Sequence, residues 1–267
     1  MKQIKLISGF AKKAGRNNQG KITCNHKGNG LKKKYRKIDF YRKNALEYTI
    51  QKIEYDPNRT SFITKVCHQT TIKTFSYFLL PENLLLNTKI KTFNTQNLSL
   101  LSFQIGDCTL LENIPIGSFI HNIEIFPGSG GIFARAAGTY AILLQKNIKN
   151  KYALIQLKSK ETRLILQRCK ATIGRVSNRQ HLNKIYLNYK KQFFKKAGCS
   201  RWKGIRPTVR GVAKNPIDHP HGGATSGGRP SCTPWGKPTK GHPTRTNEKT
   251  TKYIILSKRK LKLKKIL

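Results

Sequence analysis

Between residues 46 and 167 apolar and polar side chains alternate with the period of two that marks a strand. Leu46, Tyr48 and Ile50 share one face, and Ile53 and Tyr55 continue in the opposite phase, which predicts a bulge near Gln51. Phe62, Thr64 and Val66 follow, then Phe75, Tyr77 and Leu79. A second group runs through Ile120–Phe126, Thr139–Leu144, Tyr152–Leu157 and Arg163–Gln167. Turn formers such as Asp56-Pro57-Asn58 and Pro127-Gly128-Ser129-Gly130 separate these runs. Two groups of short strands, divided near residue 113, predict two small barrels, because closure leaves no exposed sheet edge. One segment has helical spacing: Leu182, Ile185, Tyr186, Tyr189 and Phe193, with Gly198 as its stop. The expected class is mainly β.

The pattern fails beyond the helix. Residues 198–243 hold 9 of the 21 glycines and 7 of the 11 prolines, with few large apolar side chains. Such a stretch cannot bury enough surface to offset backbone ordering, so alone it should be extended or disordered. Yet it carries both tryptophans, Trp202 and Trp235. Glycine-rich basic backbone with isolated aromatics suits a segment that orders inside folded RNA, where glycine admits close approach, Arg and Lys meet phosphates, and Trp or His stacks on bases.

Charge sharpens this. The chain of 267 residues has 53 Lys+Arg against 11 Asp+Glu, a formal net charge of +42. Residues 1–44 carry 14 basic side chains and one acid, and residues 189–267 carry 21 and two; the 144 residues between them hold 18 and eight. Two strongly basic arms therefore flank a moderately charged middle where a core can form. So much like charge requires a polyanionic partner. Scattered acids exclude two-metal hydrolysis and paired-carboxylate chemistry. No stretch approaches the ~18–20 apolar residues of a membrane span.

Other chemistries fail on spacing. Six single cysteines, at 24, 67, 108, 169, 199 and 232, form no Cys-x-x-Cys pair and read as free thiols. His219, His221, Cys232 and His242 lack the close-pair form of zinc ligands, so no metal is expected. The run Pro127 to Gly131 continues into neither phosphate-loop nor dinucleotide pattern and reads as a turn before Arg135. No catalytic residue and no cofactor is expected. An RNA-acting enzyme using His219 or His221 as acid or base lacks acidic partners. An RNA-binding module such as a chaperone or maturation factor is the other alternative.

Several colinear blocks resemble one family. Ala213-Lys214-Asn215-Pro216-Ile217-Asp218-His219-Pro220-His221-Gly222-Gly223 is similar to the signature of the L-two family of large-subunit ribosomal proteins. Arg201 to Gly211 before it and Thr233-Pro234-Trp235-Gly236 after it also resemble that family. So do Gly15 to Thr23, Tyr35 to Phe40, Glu54 to Arg59, Ile114 to Gly117, His121 to Glu124 and Gly130 to Thr139. The resemblance spans about residues 15–255, with 60–113 the least similar part.

The resemblance implies an OB-like barrel, then an SH3-like barrel, then an extended arm threaded into large-subunit rRNA near the peptidyl transferase region, supporting subunit association and tRNA binding. The expected division is a basic N-terminal arm at 1–36, an OB-like barrel at 37–113, an SH3-like barrel at 114–188 and an extended, Gly/Pro-rich basic arm at 189–267. Residues expected at RNA are Arg16, Asn17, Asn18, His26, Lys27, Lys33, Tyr35 and Arg36 in the first arm, and Arg59 and Arg135 in the barrels. In the last arm they are Arg201, Trp202, Lys203, Arg206, Arg210, His219, His221, Arg229, Trp235, Lys237 and Arg245. Implied partners are large-subunit rRNA, neighbouring large-subunit proteins and the small subunit at the interface, with no membrane and no homo-oligomer. Lys, Ile and Asn usage points to an A·T-rich organelle genome, a mitochondrion before a plastid.

Overall fold

A computed structural model describes residues 6–43, 46–68, 74–93, 103–149, 151–183, 196, 198–223, 231–241 and 249–257. The helix expected from Leu182 to Phe193 lies, from residue 184 onward, outside the described residues. By packing, the chain divides into two compact units: Met1–Phe10, Lys33–Phe193 and Thr250–Leu267 make the first, Ala11–Lys32 and Phe194–Lys249 the second.

The first unit opens with an antiparallel pair, β1 (Ile7–Gly9) and β2 (Lys34–Arg36). A four-stranded antiparallel sheet follows, from β3 (Glu47–Glu54), β4 (Ile63–His68), β5 (Thr74–Leu79) and β6 (Lys89–Lys91), in the order β5-β4-β3-β6. Its register slips between Ile50 and Lys52, where the change of hydrophobic phase predicts a bulge. The slip keeps Tyr48 and Ile50 inward, packed with Val66, Phe78 and Ile90.

The second sheet starts from β7 (Cys108–Leu110) and β8 (Phe119–His121). After β9 (Ile123–Glu124) and β10 (Gly131–Phe133), which pair separately, come β11 (Ala141–Ile148), β12 (Tyr152–Leu157), β13 (Thr162–Leu166) and β14 (Lys170–Ile173). Its order is β15-β13-β12-β11-β8-β14-β7, where β15 is Ile254–Leu256. Its core holds Ile120, Ile123, Leu143, Ile155 and Ile165 from inward strand positions, with Leu111 and Ile114 from the turn after β7. The architecture is mainly β, as expected for an OB-like barrel followed by an SH3-like one.

Two strands depart from the sequence reading. Cys108–Leu110 pairs with β14 in the second sheet, although it precedes residue 113. Ile254–Leu256 lies in the span read as an extended arm, yet it hydrogen-bonds to the edge of β13. The glycine- and proline-rich part of that span ends before it, and Tyr253-Ile254-Ile255-Leu256 is a short apolar run able to cover an edge.

Two buried polar groups shape the second sheet. The Glu124 carboxylate, 2 % exposed, accepts hydrogen bonds from the backbone N–H groups of Gly128 (3.2 Å), Gly130 (3.1 Å) and Lys170 (3.0 Å). The glycine-rich turn thus encloses the protein's own anion, which is why it is no phosphate cradle. His121 is fully buried, with Nδ1–H donating to the Gly174 carbonyl at 3.0 Å. Burial, helped by the nearby Arg42 cation, pushes its imidazole down to about 4, so the ring is neutral near pH 7.

Candidate nucleic-acid interface

The second unit has no strand of its own among the described residues, and backbone hydrogen bonds hold it in shape. In its first segment the Gly15 carbonyl accepts from the N–H groups of Thr23 and Cys24, both at 3.0 Å. Asn17 Oδ1 accepts from Gln19 N–H (3.0 Å) and Lys21 N–H (2.9 Å), closing the turn that carries exposed Asn18. Asn17 therefore organises its own loop, the familiar use of an Asx side chain at a turn. Arg16, beside it, is exposed.

Residues 26–31 run antiparallel to residues 202–206. Gly28 N–H donates to Gly204 O (2.8 Å), Leu31 N–H to Trp202 O (3.0 Å) and Arg206 N–H to His26 O (2.9 Å). Two glycines permit this close approach. Gly30 has φ +60°, and a Cβ there would lie 2.6 Å from Trp202 O; one on Gly204, at φ +83°, would lie 2.9 Å from Gly28 O. His26 Nδ1–H donates to Pro207 O at 2.8 Å, because a carbonyl can only accept. The side chains of Lys27, Arg201, Trp202, Lys203, Arg206 and Arg210 are left exposed along this clasp, which begins at α1 (Gly198–Trp202) with Cys199 buried.

The His-Pro-His loop is closed by Gly223 N–H donating to Lys214 O (3.0 Å) and by Gly222 N–H donating to His219 O (2.8 Å). His219 Nδ1 accepts the backbone N–H of His221 at 2.9 Å, which leaves the proton of its neutral ring on Nε2. That ring sits against Gly211, where a Cβ would collide with it. The two rings meet edge to face at 5.0 Å, and His221 Nε2 is 4.0 Å from Cys232 Sγ. Further on, Thr233 N–H donates to Lys237 O (2.7 Å) and holds a turn with Trp235, 83 % exposed, at its tip. Arg229, Arg245 and His242 lie outside the described residues. Among the described residues no three His, Cys, Asp or Glu side chains come together as a metal would need.

The expected residues of the first unit have protein partners. Arg36 pairs with Glu54 (3.4 Å) and Arg59 with Asp56 (3.1 Å). Lys33 Nζ donates to Pro57 O at 3.1 Å. Aromatic and guanidinium groups alternate here: Phe10 stacks on Tyr35 (6.1 Å), Arg59 lies over both Tyr35 (5.8 Å) and Phe40 (5.4 Å), and Arg135 covers Phe40 at 4.7 Å. Arg135 and Phe10 remain exposed. Phe40 escaped the sequence reading, since nothing local says an aromatic will be flanked by two arginines 76 positions apart in the chain.

Sequence reasoning also missed Lys214 and Cys24. With Arg16, Lys27, Arg206 and His219 they line a cavity of about 250 Å³ in the second unit. Lys214 stands inside a motif read for its histidines, and that motif was the available signal.

Comparison with known proteins agrees with this geometry. A model of the RNA-binding N-terminal domain of ribosomal proteins L2 matches residues 3–92, and a model of their C-terminal domain matches residues 104–241. The boundary between the two matches places Cys108–Leu110 with the second domain, as the sheet does. The chain is 49 % identical to large ribosomal subunit protein uL2 of Orientia tsutsugamushi, over 94 % of this chain and 87 % of the relative. It is 48 % identical to the uL2 protein of a Wolbachia of Drosophila simulans, over 93 % and 86 %, and 46 % identical to that of Alcanivorax borkumensis, over 96 % and 88 %. With two domain models matched in order and near-complete alignment to these relatives, the chain belongs to the ribosomal protein L2 family.

Proposed function

We propose that this protein is a structural constituent of the large ribosomal subunit that binds large-subunit rRNA and performs no catalysis. The observation that carries the reading is the ordered match of both L2 domain models, 3–92 and 104–241, to one strongly basic chain. The second unit supports it: its residues carry 18 Lys+Arg against two acids and present exposed cations and tryptophans on glycine-rich backbone. Such a surface suits phosphate contact and base stacking.

In finer detail, basic arms at 1–36 and 189–253 contact RNA, an OB-like barrel begins near residue 37, an SH3-like barrel takes in Cys108–Leu110 and Ile254–Leu256, and the His-Pro-His loop approaches the peptidyl transferase region. The RNA contacts fall to exposed Arg16, Asn18, Lys27, Arg135, Arg201, Trp202, Lys203, Arg206, Arg210, Trp235 and Lys237, with Arg229 and Arg245. Asn17, His26, Lys33, Tyr35, Arg36, Arg59, His219 and His221 combine RNA contact with the internal bonds described above. The protein works as a single copy beside other large-subunit proteins, supports tRNA binding and meets the small subunit at the interface. Its ribosome belongs to an organelle, a mitochondrion before a plastid, a reading supported by Lys/Ile/Asn-rich usage and bacterial relatives.

Sedimentation tests the main claim. The protein should co-migrate with large subunits through a high-salt gradient; release into the soluble fraction with intact subunits would point to a factor acting outside the ribosome. Organelle fractionation tests the location, with ribosomes from purified mitochondria expected to carry the chain.

A further inference from the structure

The second unit contains a cavity of about 250 Å³, lined by a segment near residue 20 and a segment near residue 210. Four basic residues line it, Arg16, Lys27, Arg206 and Lys214, with no acidic residue in its lining. Like charges gathered around one space repel, and nothing in the lining offsets them. The cavity therefore favours an anion of compact, multiply accepting form.

Its donors are also directional. The proton of neutral His219 is held on Nε2, because Nδ1 already accepts the His221 N–H at 2.9 Å. Gly211 fixes that ring, since a side chain at 211 would occupy its place. Arginine brings planar paired donors and lysine a point charge, the combination that recognises phosphate oxygens.

We infer that this cavity seats one phosphate group of the RNA backbone, with Arg206 and Lys214 as its principal charges and His219 as a neutral donor. The inference rests on the RNA-binding reading and adds a location to it. A free phosphate compound shares the chemistry, and the experiment separates the two sources.

Cys24 lines the same cavity and is an exposed free thiol, so it reports occupancy. The full-length protein is treated with iodoacetamide, and alkylation of each cysteine is followed by peptide mass spectrometry. The arms are an rRNA fragment, inorganic phosphate, and chloride at matched ionic strength. We expect the rRNA fragment to slow alkylation of Cys24 several-fold, with a smaller effect of phosphate and none of chloride. Lys214→Gln should abolish that protection while weakening RNA binding only a few-fold, and Lys214→Arg should restore it. Arg206→Gln provides an independent second variant. Undiminished protection in both glutamine variants would show shielding from elsewhere and overturn the proposal. So would protection by phosphate but not by rRNA. Tight rRNA binding with Cys24 fully reactive overturns the seat and leaves the RNA-binding reading intact; absence of any rRNA binding defeats that reading itself, and the seat with it.

Discussion

The two compact units of this chain are ordered by different physics. The first buries aliphatic side chains such as Ile50, Ile120 and Ile155 completely and keeps nine of the eleven acids, several paired with arginines that would otherwise face them unmet. The second exposes Ile217 at 93 % and Trp235 at 83 %, holds only two acids, and keeps its shape through backbone bonds among glycines. A core lets a sheet stand through burial of its own apolar surface. A segment without one turns its side chains outward, and in a basic chain those side chains wait for an anion. The unit that folds by burial and the unit that carries exposed charge are made of one sequence with two compositions.

The largest effect expected from this contrast is on RNA affinity. Binding to large-subunit rRNA should weaken by roughly 10³–10⁵ between 50 and 200 mM salt if six to ten phosphates are met. Neutralising Arg201, Lys203, Arg206 and Arg210 together should flatten that slope more than neutralising four lysines on the first unit's strands, as read by filter binding across salt. Equal slopes would mean that the charge of the second unit is not privileged.

Stability should divide the units in the opposite sense. Ile155→Ala, in the core of the second sheet, should cost about 2–5 kcal/mol in urea melts, through lost burial and the cavity left behind. Ile217→Ala should stay within about 0.5 kcal/mol, because the side chain is almost wholly in solvent. A large loss at Ile217 would reveal packing that the first unit alone is argued to have.

A third expectation concerns acid. His121 has a folded-state pKa of about 4 against an ordinary 6.5, so between these values the unfolded chain binds the extra proton. Stability of the first unit should therefore fall as pH drops through that window, by on the order of 3 kcal/mol in total, and be unaffected by this group above it. His121→Gln should remove most of that dependence in melts taken from pH 7 to pH 4.

The smallest effect is local. Gly30→Ala puts a Cβ against Trp202 O at a positive φ and should loosen the clasp by about 1–3 kcal/mol. Amide exchange should quicken at Leu31 and Gly28, and protection of the first unit's strands should be unchanged.

Much of this was legible beforehand. The bulge after Ile50 follows from a phase change visible in six residues, and Tyr152–Leu157 begins and ends where its alternation does. Strands of three residues were not legible: Lys34–Arg36 and Lys89–Lys91 are too short and too basic to show a period. Arg201, Arg206 and Trp235, expected at RNA, are exposed. Asn17, expected at RNA, also closes its own turn, a bond that could not be read from residue type because it depends on the path of the loop.

By itself, then, the sequence determined what is local or additive: the β class, the basic arms, the demand for a polyanion and the family motifs. Tertiary structure decided which distant segments meet. It assigned Cys108–Leu110 to the second sheet, laid Ile254–Leu256 along β13, set Arg36 and Arg59 against acids, and brought Cys24 and Lys214 to one cavity. Periodicity and charge are properties of neighbouring residues, whereas pairing and enclosure are settled by which surfaces can be buried together across the whole chain.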